Sequence, residues 1–202
     1  MSPLKPVAAR SNFTLWLVLA VCLAPFVGSL ALYHFAPPTK RMNYGELIDV
    51  VPLMDEVGMQ GELQLLDGKR ITLGSLRGKW LMLQRASGEC PGLCGENLWK
   101  LRQVRLTQGD NQERIQRVWL VEGDTLPPEA LLREHEGLLV VMATRSEAGR
   151  RLLRQMTGSG DDPASLWLAD PLGNLMLRWP PLADPSAMKK DLSRLLRTSR
   201  VG

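Results

Sequence analysis

Histidine is nearly missing from this 202-residue chain, which carries only His34 and His135. That scarcity removes whole classes of chemistry. Ser87 and Ser165 have no imidazole base to build a hydrolase triad. A structural zinc site wants four Cys or His ligands, and the chain has three cysteines, one of which, Cys22, lies inside an apolar run. Aromatic residues make up 5% of the chain, and the net charge of +4 is scattered among acidic residues. No basic stripe interleaves with aromatics, which argues against a nucleic-acid partner. Arg150-Arg151 and Lys189-Lys190 read as solvated faces of helices. There is no internal repeat and no low-complexity tract, and Gly158-Ser159-Gly160 is too short for a phosphate loop.

Charge is absent from Phe13 to Phe35, His34 apart. The run holds Leu15, Trp16, Leu17, Val18, Leu19, Val21, Leu23, Phe26, Val27, Leu30 and Leu32. It meets the ~20 apolar residues needed to cross a bilayer, and it exceeds the ~7–15 of a signal-peptide core. No small-residue cleavage site follows it, since Tyr33, His34, Phe35 and Pro37-Pro38 close the run. Trp16 and Tyr33 suit the two interfaces. Cys22 reads as a small apolar side chain within the span. The short tail favours an N-inside orientation. In a bacterium that places a single-pass protein in the inner membrane, with the rest of the chain in the periplasm, where thiols can oxidise. The expected organisation is a cytoplasmic tail 1–12, a transmembrane helix 13–35, a linker 36–60 and a folded domain 61–202.

Beyond the linker, strand and helix patterns alternate. Residues 61–66 and 69–73 flank an Asp67-Gly68 hairpin turn. Trp80 to Arg85 is a buried strand, Leu93 to Gln108 a helix, and Val118 to Val121 a second strand. A short helix opens at Pro127-Pro128-Glu129, Leu138 to Val141 forms a third strand, and Ser146 to Thr157 another helix. Ser165 to Leu168 and Leu175 to Arg178 flank a turn at Asp170-Pro171-Leu172-Gly173-Asn174, and Ser186 to Thr198 closes the chain. This order predicts an α/β domain, a central mixed sheet flanked by helices. Trp80, Trp99, Trp119 and Trp167 are expected in its core.

The segment that carries chemistry is Cys90-Pro91-Gly92-Leu93-Cys94, placed where the first buried strand ends. Cysteines four apart can meet if they sit one helical turn apart, at a Cα separation of about 6 Å. Such a pair can cycle through a disulfide or converge on a soft metal ion. In the thiol reading Cys90 attacks, being placed nearest the helix N-terminus, and Cys94 resolves. Glu89 beside it opposes the thiolate. The Asp162–Pro163 bond, directly before a strand, is of the one kind with easy access to cis, and Pro163 resembles in its place the cis-proline that thioredoxins carry facing their active cysteines.

Leu76-Arg77-Gly78-Lys79-Trp80, the strand, Cys90-Pro91-x-x-Cys94 and the Asp170-Pro171-Leu172-Gly173-Asn174 turn together resemble the Sco/SenC branch of the thioredoxin-like superfamily, over roughly Gly61 to Leu196. The resemblance implies a thioredoxin-like fold and a membrane-tethered assembly factor for a cytochrome c oxidase. It further implies handling of Cu(I) or of thiol redox at Cys90 and Cys94. It points to the lipid bilayer and an oxidase subunit or another assembly factor as partners. The family completes its copper site with a histidine at a place that falls near Asp162 here. This chain therefore offers Cys90 and Cys94 with, at most, Asp162 as an oxygen donor, a set biased towards Cu(I). Two other readings stand beside this one: a periplasmic thiol-disulfide oxidoreductase, and a non-catalytic binding module with a structural disulfide. His135 reads as a solvated helix residue.

Overall fold

The computed structural model describes residues 12–35, 43–55, 59–157 and 162–199. The tail 1–11, residues 36–42 and 56–58 of the expected linker, and residues 158–161 lie outside the described residues. The chain divides into two compact units, Met1–Met42 and Asn43–Gly202.

In the first unit the apolar run forms one helix, α1, over Phe13–Phe35. Its 23 residues span about 35 Å at 1.5 Å per residue, against a hydrocarbon core of about 30 Å. The window Leu15–Leu32 is apolar and long enough to cross a membrane by length and composition, and it fits a single-pass anchor. Side chains from Leu15 to Leu32 are exposed along it, as a lipid-facing helix requires. Pro25 sits inside the helix, a position lipid-embedded helices tolerate.

The second unit is built on a six-stranded sheet in the order β1-β8-β7-β4-β5-β6. Strands β4 (Trp80–Ser87), β5 (Ile115–Glu122) and β6 (Leu138–Met142) run parallel. Strands β7 (Leu166–Ala169), β8 (Asn174–Trp179) and β1 (Glu46–Pro52) continue the sheet antiparallel. A separate hairpin pairs β2 (Glu62–Gln64) with β3 (Arg70–Thr72). This is the mixed sheet that the alternation of patterns predicts.

Period-two alternation assigns the faces. On β4, Leu81 and Leu83 pack with Leu120, Leu152, Met156 and the hairpin residue Leu63. Trp80 and Met82 turn the other way, to Leu101, Val104, Met188 and Leu192. Helices α2 (Cys94–Leu106) and α5 (Pro185–Thr198) therefore cover one face, and α4 (Glu147–Thr157) with the hairpin covers the other. The short α3 spans Glu129–Glu134. Asp184 caps α5 by accepting from the Ser186 and Ala187 amides, with Pro185 in the first turn. Trp80, Trp119 and Trp167 are buried as expected, whereas Trp99 is 50% exposed on the outer face of α2. Leu98, Leu101 and Val104 take the buried stripe of that helix, and Trp99 is out of phase with them.

The expected linker is corrected at its second half. Residues 46–52 form β1, which pairs with β8 from Glu46↔Arg178 to Pro52↔Asn174, so the folded unit begins at Asn43 rather than at residue 61. The buried carboxylate of Asp191 holds the entry to this strand. It accepts from the Tyr44 amide at 3.0 Å, the Gly45 amide at 2.8 Å and Trp179 Nε1 at 3.1 Å. Gly45 packs so closely that a Cβ there would lie 2.8 Å from Leu177 and 2.9 Å from Trp179.

Candidate redox site at the end of a central strand

β4 is buried from Trp80 to Arg85 and then breaks at Gly88. A Cβ at Gly88 would lie 1.8 Å from the Thr125 carbonyl oxygen, so the chain can pass there only as glycine. Cys90 and Gly92 follow with φ of 53° and 59°. Left-handed residues cannot continue a right-handed helix, and α2 begins only at Cys94. The Cys90 amide donates to Ser87 O at 3.0 Å and the Cys94 amide to Pro91 O at 3.2 Å.

This turn brings the two cysteines into a disulfide at a Cα separation of 5.0 Å. A turn, not an intrahelical pair, closes the gap. Cys94, not Cys90, stands in the first turn of α2, so the positive end of the helix acts first on the Cys94 sulfur. Accessibility runs the other way. Cys90 is half-buried, whereas Cys94 is 6% exposed. Of the two, Cys90 is therefore the residue more open to an approaching group.

A shallow cavity of about 310 Å³ lies against the pair, with Gln84, Arg85, Pro91, Cys94, Asn97 and Pro163 among its walls. Arg85 is paired with Glu122 at 3.2 Å. Asn97, buried on α2, donates to Ala164 O at 2.9 Å and ties the loop of Pro163 to the helix. The structure thus brings Pro163 to the site, with a correction: no peptide bond among the described residues is cis, so Asp162–Pro163 is trans.

Asp162 does not join the cysteines. Its Oδ1 accepts the Ala164 amide at 2.9 Å, and the residue lines a different cavity, with Tyr44, Ser165 and Arg178. Among the described residues no group of three His, Cys, Asp or Glu side chains could hold a metal ion. The three-donor set of Cys90, Cys94 and Asp162 is therefore not assembled, and these residues do not fit a three-ligand copper centre. Two sulfurs, joined as a disulfide, are what the site offers.

His135 is also not what its position suggested. It follows α3 and is 4% exposed, with Nδ1 lacking a partner among the described residues. Burial, and then the guanidinium of Arg117, hold its pKa below the ordinary 6.5; Glu134 opposes them and Arg102 adds to the lowering. The unfolded chain thus binds a proton where the folded chain does not, and stability rises with pH through that window. Unfolding free energy should fall as pH drops below about 6.5, and His135→Leu should flatten that slope. Parallel wild-type and variant slopes in denaturant titrations between pH 5 and 7 would contradict this.

Sequence reasoning passed over Gln84, a buried amide within hydrogen-bonding distance of Cys94. The signal was present: a polar residue in phase with Trp80 and Met82 on an otherwise apolar strand.

Residues 80–199 match the family described as transmembrane-like, thioredoxin-like, C-terminal domain. Among solved structures, copper-bound Sco1 from yeast aligns with a TM-score of 0.58 at 16% identity, over 79% of this chain and 96% of that one. Copper-bound ScoI from Arabidopsis thaliana aligns at 0.56 and 20% identity, over 69% and 99%. BsSco, described as a member of the Sco family of cytochrome c oxidase assembly proteins with a disulfide switch, aligns at 0.53 and 11%, over 79% and 100%. At these identities the likeness is one of fold. No curated protein matches the chain in sequence.

Proposed function

This chain belongs to the transmembrane-like, thioredoxin-like C-terminal domain family, and on that premise we propose that it is a membrane-tethered thiol-disulfide exchange protein acting at Cys90 and Cys94. One observation supports the reading: the pair is joined across a turn at the end of β4, with Cys90 half-buried and Cys94, in the first turn of α2, 6% exposed at the wall of a cavity. That asymmetry separates an attacked from a leaving sulfur, which a purely structural staple does not need. The chain sits in a bacterial inner membrane with this domain in the periplasm, where oxidised cysteines persist. Its client is a cysteine-bearing subunit or assembly factor of a respiratory cytochrome c oxidase. The fold likeness to BsSco supports that choice.

The test uses the full-length chain in detergent, equilibrated in glutathione redox buffers and trapped by alkylation. A reversible two-electron transition that vanishes in Cys90→Ala supports exchange. A pair that stays oxidised at every accessible ratio marks a structural disulfide, the non-catalytic reading.

Delivery of Cu(I) as cargo is the second reading, favoured by the copper held in the yeast and Arabidopsis Sco structures of this fold. Reduction would free two soft thiolates for Cu(I). With no third His, Cys, Asp or Glu donor grouped with the cysteines among the described residues, the reduced chain should hold Cu(I) weakly. In an anaerobic titration against a competing chelator, the chelator should keep most of the copper. Tight one-to-one binding, lost in the Cys90→Ala, Cys94→Ala variant, would instead make copper delivery the primary function.

A further inference from the structure

Gln84 is 1% exposed on β4, and both of its hydrogen bonds go to one residue. Nε2 donates to Cys94 O at 3.2 Å and to Cys94 Sγ at 3.0 Å. Its Oε1 has no partner among the described residues. The carbonyl acceptor fixes the orientation of the amide, since Oε1 cannot take a place that requires a donor. No other polar contact explains why an amide is buried there, and a buried amide with an orphaned oxygen is costly unless it serves the sulfur.

Resting on the exchange function proposed above, we infer that Gln84 is a positioning residue that sets the reduction potential of the pair by stabilising Cys94 as the leaving thiolate. A disulfide sulfur is a weak acceptor, whereas a thiolate carries a full charge. The same N–H bond therefore strengthens when the S–S bond breaks, in an interior where water does not substitute for it. The step is as follows. A thiolate of an incoming dithiol attacks Cys90 Sγ, forming a mixed disulfide. The Cys90–Cys94 bond breaks, and its electron pair leaves on Cys94 Sγ, which accepts from Gln84. The second thiol of the dithiol then attacks its own sulfur in the mixed disulfide and releases Cys90. The dithiol is oxidised by two electrons and the pair is reduced. The two protons of the dithiol pass to the cysteines or to solvent.

The experiment compares wild type, Gln84→Leu and Gln84→Met, each as full-length chain in detergent, equilibrated with reduced and oxidised glutathione as the probe. Both variants should shift the equilibrium about tenfold towards the disulfide, a potential about 30 mV more negative. In a Cys90→Ser background the thiolate absorbance of Cys94 should titrate about one pH unit higher once Gln84 is replaced by leucine. Thermal unfolding of the oxidised proteins identifies any variant that fails to fold, and the methionine variant, which is flexible enough to fill the site, then carries the comparison. A purely structural role would move unfolding temperature and leave the potential alone. An unchanged glutathione equilibrium in both variants, with wild type exchanging normally, overturns this inference while exchange itself stands. A wild-type pair inert to glutathione overturns the exchange function instead.

Discussion

Replacing Cys94 with alanine will trap an oxidised partner on Cys90, and replacing Cys90 will abolish capture altogether. In the Cys94→Ala chain, the Cys90 thiolate still attacks a partner disulfide and forms a mixed disulfide. The second thiol that would release the partner is missing. An intramolecular thiol held one turn away far outcompetes thiols in solution, so release should slow on the order of 10³-fold or more. In the Cys90→Ala chain the remaining cysteine is 6% exposed in the first turn of α2, and a partner cannot align a disulfide against it. Non-reducing electrophoresis of membranes after acid quench reads the outcome. Capture by both single variants alike would mean that access does not distinguish the sulfurs, and capture by neither would leave only a staple. In the double-alanine strain, oxidase assembly should fail, and normal assembly there would separate this chain from the oxidase.

The second large effect is on stability, far from the sulfurs. Asp191→Ala strips the acceptor from the Tyr44 and Gly45 amides and from Trp179 Nε1 at once. Each buried donor left without a partner costs about 1–3 kcal/mol. Allowing for partial access of water at Tyr44, the sum is about 3 kcal/mol, and at about 2–4 °C per kcal/mol for a domain of this size the melting temperature should drop by roughly 6–12 °C. The loss should be local before it is global. β1 reaches the sheet through these bonds and, among the described strands, pairs only with β8, so hydrogen exchange should quicken first over Glu46–Pro52. A melting temperature within roughly 2 °C of wild type, with β1 still protected, would show that the β1–β8 ladder holds the segment without Asp191.

Several parts of this molecule could be read directly from the residue order, and for definite reasons. The anchor could, because a charge-free run of that length has few other uses. β4 could, because Trp80 to Arg85 is flanked by glycine-bearing turns and α2 follows with Leu98, Leu101 and Val104 at helical spacing. The location of Cys90 and Cys94 at the strand's end followed from those two elements.

β1 was hidden because it is an edge strand with two half-buried residues. Its partner lies more than a hundred positions away in the chain, so nothing local marks it as a strand. Asp162 was drawn into the site by counting back from a turn, but counting gives position along the chain and not direction. Its carboxylate closes its own loop onto Ala164. Pro163 lines the cavity beside Cys94, but its peptide bond is trans and not the expected cis. His135 looked solvated because its neighbours in sequence are polar, yet it is packed beside Arg117, which arrives from β5.

The sequence by itself determined the apolar helix, the alternation of strands and helices in a mixed sheet, and which two cysteines lie close enough to meet, because these rest on local composition, periodicity and spacing. Only the tertiary structure decided which cysteine is the more exposed, which one stands on the helix within hydrogen-bonding distance of Gln84, and that no third donor joins the pair among the described residues. Each of those depends on side chains brought together from β4, α2 and the loop before β7, and the distance between such groups is set by packing and not by their separation along the chain.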